Sequence, residues 1–211
     1  MTPLREQLSM LRVMPVLTVQ SEQQALAVCD ALASGGILAV EITLRTPAAL
    51  AAIRAVKAAR PDFYVAAGTI RTPQDMKAVA AAGVDCAVSP GWSASLSAAA
   101  TALGLPFLPG VSTASEIIQG SECGHQCFKF YPAEAVGGIP LLKALAGPFA
   151  GVEFCPTGGI SPHNYRDYLA LANVLCVGGS WMVDPKLIEA EQWDKIESLS
   201  RACISLNEQG V

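Results

Sequence analysis

The chain alternates between short apolar runs and helix-like stretches, and this pattern repeats eight times along its 211 residues. The runs are apolar throughout instead of alternating with polar residues, which is typical of parallel strands covered by helices. Regular alternation of strands and helices predicts a parallel sheet with right-handed crossovers. The predicted strands cover residues 13–19, 37–44, 64–70, 86–91, 106–111, 126–132, 152–159 and 174–180.

Eight consecutive units of this kind predict an α/β fold, a closed (β/α)8 TIM barrel, preceded by a short helix over residues 3–11. The last helix is predicted from about Pro185 to Asn207. The barrel would be compact, because about 250 residues is more usual. A doubly wound open sheet is the alternative, since a sequence does not reveal the order of the strands. No stretch resembles a linker, which predicts a single domain over residues 1–211.

The composition argues against several classes of partner. The net charge is −4, and nucleic acid or an anionic membrane would need a basic face. No apolar run reaches the roughly 18 residues that a membrane span requires. The first residues, MTPLREQLSMLR, lack the apolar core of a signal peptide. We therefore expect a cytoplasmic protein that binds neither nucleic acid nor a membrane.

The cysteines and histidines do not suggest a metal site. The seven cysteines are dispersed without a CxxC pair, and the two histidines are His125 and His163. A zinc site built from Cys123, Cys127 and His125 would lack a fourth ligand. Neither GxGxxG nor GxxxxGK[ST] occurs, which argues against a bound nucleotide. We expect reduced thiols in the core, with no metal and no cofactor.

Lys129 stands in the apolar segment CFKFYPAE, although a lysine is rarely buried without a partner. Strand parity places Lys129 and Tyr131 on one face and the two flanking phenylalanines on the other. The alternative is a lysine whose stem covers apolar surface while its amine reaches water. An apolar wall would instead favour the neutral amine, which can attack a ketone and form an imine. The protonated imine withdraws electrons and allows an adjacent carbon–carbon bond to break.

Glu41 is a second charged residue inside an apolar strand, LAVEITL. In a barrel the carboxyl ends of all strands meet at one rim, where active sites of this fold are built. Polar residues near the strand ends would therefore become neighbours of Lys129. A structural ion pair is one interpretation of Glu41, but a Glu and a Lys that both face one rim favour acid–base catalysis.

Two glycine pairs lie at the ends of the last two predicted strands, in PTGGISP and VGGS. Phosphate sites of barrel enzymes lie at these loops, where glycine lets the backbone approach an anion. Ordinary turn glycines are the alternative. Arg45 follows Glu41 by four residues, and its guanidinium could bind a carboxylate through two hydrogen bonds.

In chain order the motifs VEITLRTP, AAGTI, AVSPG, FLPGV, FKFYPAE, FCPTGGISPHN and VLCVGGSW strongly resemble the class I 2-keto-3-deoxy-6-phosphogluconate (KDPG) aldolases. This family also handles 4-hydroxy-2-oxoglutarate (KHG). The resemblance spans nearly the whole chain. It implies that Lys129 is the Schiff-base lysine, that Glu41 is the general acid–base, and that the enzyme is a homotrimer.

The resemblance also implies a set of substrate-binding residues. These are Arg45 and Thr69 for the carboxylate of pyruvate, Pro90 and Tyr131 for the pocket wall, Thr157 for the hydroxylated part of the substrate, and Gly158, Gly159, Gly179 and Ser180 for the phosphate. The family commonly has phenylalanine where this chain has Tyr131, which adds a hydroxyl to the pocket. Thr157 favours the gluconate-derived over the galactonate-derived substrate.

The expected reaction is the reversible cleavage of KDPG to pyruvate and glyceraldehyde 3-phosphate, with a place in Entner–Doudoroff carbohydrate metabolism. Cleavage of KHG to pyruvate and glyoxylate is a further expected activity. Two alternatives stay open at this point. A phosphosugar isomerase or epimerase would use a pair of bases or a metal instead of an imine, and a phosphosugar sensor would bind its ligand without releasing pyruvate.

Overall fold

The computed structural model describes residues 4–205, which form ten α-helices and nine strand segments. The helices are α1 Leu4–Leu11, α2 Glu22–Ser34, α3 Ala49–Ala59, α4 Pro73–Ala81, α5 Ala94–Leu103, α6 Ala114–Glu122, α7 Gly138–Ala146, α8 Tyr165–Leu169, α9 Pro185–Glu189 and α10 Trp193–Ser205. The strands are β1 Val13–Leu17, β2 Ala39–Thr43, β3 Tyr64–Gly68, β4 Cys86–Val88, β5 Phe107–Leu108, β6 Gly110–Val111, β7 Cys127–Phe130, β8 Glu153–Pro156 and β9 Val177–Gly179. Two short 3-10 helices cover Glu134–Val136 and Trp181–Val183.

The strands pair in parallel and form an α/β fold with a curled sheet. One group has the order β5-β4-β3-β2-β1-β9, and a second has the order β6-β7-β8. The first strand of the chain therefore pairs with the last, since Val13 lies opposite Val177. Strands β1 to β5 follow each other without the reversal of order that a doubly wound sheet requires. The pairing thus argues against the open-sheet alternative.

The sheet is interrupted at two places, and one of them divides a predicted strand. The predicted strand over 106–111 is divided at Pro109 into β5 and β6, because proline has no N–H to donate to a neighbouring strand. Strands β8 and β9 are joined only by isolated bridges, one of which pairs Thr157 with Gly178. The strands therefore form a curled sheet in two parts instead of one uninterrupted ring.

The interior of the curled sheet is an apolar core of its own, separate from the core between sheet and helices. It contains Met14, Ala66 and Val88 from three strands, together with Leu8 of α1. Helix α1 has its apolar residues at the spacing that the sequence predicted, and Leu8 is only 2% exposed. The short leading helix thus covers one end of the interior, which leaves the other end for a functional site.

Strand β7 is held from behind by aromatic residues, as the strand parity predicted. Phe128 and Phe130 are fully buried in the core between sheet and helices, and Phe130 packs edge-on against Phe154 at 6.0 Å. Fully burying an aromatic side chain contributes about 1.5–3 kcal/mol. This anchoring fixes the strand, so that its intervening residue, Lys129, faces the interior.

His125 lies beside this aromatic group, which gives the fold a dependence on pH. Its Nε2 is hydrogen-bonded to Ser97 Oγ at 2.8 Å, and its ring packs edge-on against Trp92 and Phe107. Burial lowers the pKa of His125, because the charged ring would lose water. The folded state therefore favours the neutral ring, and this contribution is complete above the unfolded pKa of about 6.5 and is lost as the pH falls through the folded value.

We expect the free energy of unfolding to decrease as the pH falls below about 6.5, and the decrease to be smaller in His125→Gln. His163→Gln is the matched control, since His163 is exposed, and it should retain the wild-type pH dependence. Urea unfolding at a series of pH values measures this. Equal slopes in His125→Gln and the wild type would contradict the assignment.

The predicted C-terminal helix is two helices, α9 and α10, separated by a short turn. Its predicted end at Asn207 lies outside the described residues. Across residues 4–205, no helix combines the length and the apolar character needed to cross a membrane.

Candidate active site

Lys129 and Glu41 form an ion pair inside the curled sheet. The amine of Lys129 donates hydrogen bonds to Glu41 Oε1 at 2.9 Å and to Oε2 at 3.1 Å. The two residues are only 6% and 4% exposed, so the pair is shielded from bulk water. Lys129 belongs to β7 and Glu41 to β2, 88 residues apart in the chain. The fold therefore brings together the two residues that the sequence predicted as catalytic.

The amine of Lys129 has an aromatic ring and a carboxylate as its neighbours. Its Nζ lies 5.5 Å from the centre of the Tyr131 ring, and a cation is attracted to such a ring face. Glu41 is the carboxylate within hydrogen-bonding distance of Nζ. A proton can pass directly along this hydrogen bond from Nζ to Oε1. The transfer leaves a neutral amine with a free lone pair next to a protonated carboxyl group.

The thiols of the interior are poor competitors for this role. Burial raises the pKa of Cys86 and of Cys127 to about 12, because the thiolate would lose its hydration. Cys155 and Cys176 are also buried, and their sulfur atoms lie 2.9 Å apart. The thiolate is the reactive form of cysteine, so these residues act as packing groups.

A cavity of about 280 Å³ opens above the ion pair, at the carboxyl ends of the strands. Thr157 and Gly178 line both this cavity and the small interior space that contains Lys129 and Glu41. They therefore form the boundary between the two. The predicted site residues that line the cavity are Arg45, Tyr131, Thr157, Gly158, Gly159, Gly179 and Ser180.

The glycine loops give one side of this cavity a bare backbone surface. Gly158 has φ of 100° and Gly159 has φ of 80°, conformations that L-residues with a side chain rarely adopt. Among residues 4–205, the N–H groups of Gly159 and Ser180 donate no hydrogen bond. N–H groups of this kind at a glycine loop can donate hydrogen bonds to the oxygens of an anion.

Arg45 and Thr69 meet at the rim of the sheet. The Nε of Arg45 donates a hydrogen bond to Thr69 Oγ1 at 3.3 Å. Thr69 has φ of 64°, which is unusual for a β-branched residue, and such strain concentrates at functional sites. The two predicted carboxylate-binding residues thus lie side by side, although only Arg45 lines the cavity.

Pro90, like Thr69, is a predicted substrate-binding residue that does not line this cavity. It is exposed, in the loop after β4. Its backbone packs so closely on Gly110 that a Cβ there would lie 2.4 Å from the Pro90 carbonyl carbon. Pro90 therefore contacts the β6 strand next to Lys129, whose register partner is Gly110.

Sequence reasoning did not identify Thr18, and it noted Gly178 only as part of the glycine pair in VGGS. Both residues line the cavity. Thr18 Oγ1 and Thr43 Oγ1 are hydrogen-bonded at 2.8 Å across β1 and β2. Thr18 directly follows the first strand, so its position at a strand end was a usable signal. The glycine pair marked Gly178, but the sequence does not show why glycine is needed there: Thr157 Oγ1 would lie 2.3 Å from a Cβ at residue 178.

Known proteins share both the sequence and the fold. A family model for KDPG and KHG aldolases matches residues 4–199. The chain is 48% identical to the KHG/KDPG aldolase of Escherichia coli K12, over 91% of this chain and 90% of that protein. It is 47% identical to the 2-dehydro-3-deoxy-phosphogluconate aldolase of Dickeya dadantii, over 92% of this chain and 91% of that protein.

A solved structure of a KDPG aldolase also has the same fold as this chain. The KDPG aldolase of Legionella pneumophila, crystallised with pyruvate captured at low pH as a covalent carbinolamine intermediate, superposes with a TM-score of 0.90 at 44% identity. The match covers 92% of this chain and 95% of that one. A buried lysine–carboxylate pair under a glycine-rich cavity, on a fold and sequence shared this widely, places the chain in the KDPG and KHG aldolase family.

Proposed function

We propose that this chain is a class I aldolase that cleaves KDPG to pyruvate and glyceraldehyde 3-phosphate, with Lys129 as the nucleophile and Glu41 as the acid–base. The observation that carries the proposal is the buried Lys129–Glu41 pair directly beneath the cavity. Relatives with the same activity in their names, and a neighbour that holds pyruvate as a carbinolamine, support it.

The reaction begins when Lys129 transfers a proton to Glu41 and its lone pair attacks the C2 ketone. Glu41 returns a proton to the carbinolamine oxygen, and water leaves to give a protonated imine. Glu41 then removes the proton of the C4 hydroxyl, the C3–C4 bond breaks, and its electron pair moves into the imine to form an enamine. Glyceraldehyde 3-phosphate departs. The enamine is protonated at C3, and water hydrolyses the imine to release pyruvate and the free amine.

Each end of the substrate has a matching region of the site. Arg45 and Thr69, joined at the rim, bind the carboxylate next to C2. Thr157 lies at the boundary between pair and cavity, where the substrate hydroxyls pass. Gly158, Gly159, Gly179 and Ser180 bind the phosphate at the far side of the cavity, and the Tyr131 ring forms the wall beside Lys129.

KHG is a second proposed substrate, because the Escherichia coli relative carries both activities in its name. The experiment is a coupled assay of pyruvate release on KDPG, its galactonate epimer and KHG. We expect turnover of KDPG and slower turnover of the epimer. Ligand binding without pyruvate release would favour the sensor. Isomerisation of a phosphosugar without pyruvate release, abolished by EDTA, would favour the isomerase class.

The phosphate assignment predicts the effect of a negative charge at Ser180. Ser180→Asp should raise KM for KDPG roughly tenfold or more, since like charges a few Å apart near a surface repel by about 1–4 kcal/mol. Borohydride trapping of pyruvate, which has no phosphate, should proceed at the wild-type rate in the same variant. Ser180→Ala controls for loss of the hydroxyl. Equal KM values for Ser180→Asp and Ser180→Ala would contradict the assignment.

We also propose that the two parts of the sheet are one (β/α)8 barrel, open at Pro109. The pairing of β1 with β9 and the bridge from Thr157 to Gly178 support this closure. One domain over residues 1–211, a homotrimer, a cytoplasmic location and a role in the Entner–Doudoroff pathway stay predictions. Sedimentation velocity tests the trimer.

A further inference from the structure

Gly68, the last residue of β3, faces the catalytic carboxylate. In the sheet register Gly68 lies opposite Thr43 and Ala66 lies opposite Glu41. A Cβ added to Gly68 would be 2.1 Å from Glu41 Oε1, 2.8 Å from its Cδ and 2.9 Å from its Cγ. Real Cβ atoms essentially never approach other atoms within 3.0 Å. The Glu41 side chain therefore occupies the volume that any side chain at residue 68 would need.

The backbone does not require glycine at this position. Gly68 lies outside the positive φ range, where other residues are strained, whereas Gly158 and Gly159 lie inside it. Two residues earlier, Ala66 carries a methyl group on the same inward face of β3. Neither the backbone conformation of Gly68 nor the inward face of β3 in general excludes alanine at residue 68. The specific obstacle is the carboxylate of Glu41.

We propose that Gly68 is a positioning residue for the aldolase reaction, whose missing side chain lets Glu41 extend to Lys129. This inference rests on the proposed function, because it concerns the acid–base role of Glu41. The clashing atoms belong to the outer half of a flexible side chain, which can rotate away. An alanine at residue 68 would therefore leave the protein folded and displace the carboxylate from the 2.9 Å contact with Nζ.

The test is Gly68→Ala, alone and combined with Glu41→Ala. We expect kcat for KDPG to fall about 10²-fold or more in the single variant, because positioned acid–base catalysis contributes about 10²–10⁴-fold. Trapping of pyruvate by borohydride should still label Lys129, at a lower rate. Gly147→Ala is the matched control, since a Cβ at Gly147 meets no atom within 4 Å, and it should retain the wild-type kcat.

The combined variant separates positioning from a general structural role. In the Glu41→Ala background the Glu41 side chain no longer clashes with a Cβ at residue 68, and there is no carboxylate to displace. Gly68→Ala should therefore not reduce the residual kcat of Glu41→Ala any further. The same fold-loss in both backgrounds would overturn the inference, and so would wild-type kcat in Gly68→Ala. If Glu41→Ala itself retains full activity, the acid–base assignment of the proposed function fails first, and the inference fails with it.

Discussion

Lys129→Met is expected to abolish pyruvate release from KDPG and to destabilise the protein. Without the amine no imine forms, and removing a covalent nucleophile costs on the order of 10⁴-fold or more in kcat. Glu41 would also be left buried without its partner, which costs about 3–5 kcal/mol in the free energy of unfolding. A coupled pyruvate assay and urea unfolding measure the two effects.

The double variant Lys129→Met/Glu41→Gln distinguishes the catalytic from the structural contribution. It removes both charges, so most of the lost stability should return while activity stays absent. If Lys129→Met retained more than about one hundredth of the wild-type kcat, a mechanism through an imine at Lys129 would be wrong. If the double variant were as unstable as the single one, the cost would not come from the unpaired carboxylate.

Glu41→Gln is expected to lower kcat by about 10²–10⁴-fold with little change in KM, because the amide keeps the size of the side chain and loses the ability to carry protons. Pyruvate should still be trapped on Lys129, more slowly than in the wild type. In the proposed mechanism the proton transfers at the carbinolamine oxygen and at the C4 hydroxyl both depend on this carboxylate. Among residues 4–205 it is the only acidic group paired with Lys129.

Glu153→Gln is the matched control for this variant. Glu153 also forms an ion pair, with Arg5. It lies at the start of β8, away from the cavity. Its replacement should leave kcat unchanged. Comparable losses in Glu41→Gln and Glu153→Gln would indicate that general loss of an ion pair, and not proton transfer, explains the effect.

The sequence was sufficient to predict that Lys129 and Glu41 lie together in the interior, because burial and strand parity leave clear signals. A charged residue inside a continuous apolar run is rarely buried without a partner, and Lys129 and Glu41 each showed this pattern. The apolar residues on either side of Lys129 pack outward as expected. The family motifs then supplied the substrate, which periodicity and composition do not encode.

Other features depend on contacts between distant residues and were not predictable in this way. The division of one strand at Pro109 depends on which neighbouring strands the residues before and after the proline pair with. The sequence does not show these pairings. The requirement for glycine at residues 68 and 178 comes from side chains on other strands, Glu41 and Thr157. A sequence shows these glycines but not the atoms that exclude a methyl group.

The most direct test of the mechanism is borohydride reduction of the protein with pyruvate, followed by peptide mapping of the adduct. The wild type should become inactive and carry one pyruvate-derived group, located on Lys129, whereas Lys129→Met should carry none. Protection from labelling by a phosphorylated substrate analogue would place the adduct under the cavity. A label on another lysine, or no label in an active enzyme, would contradict the account.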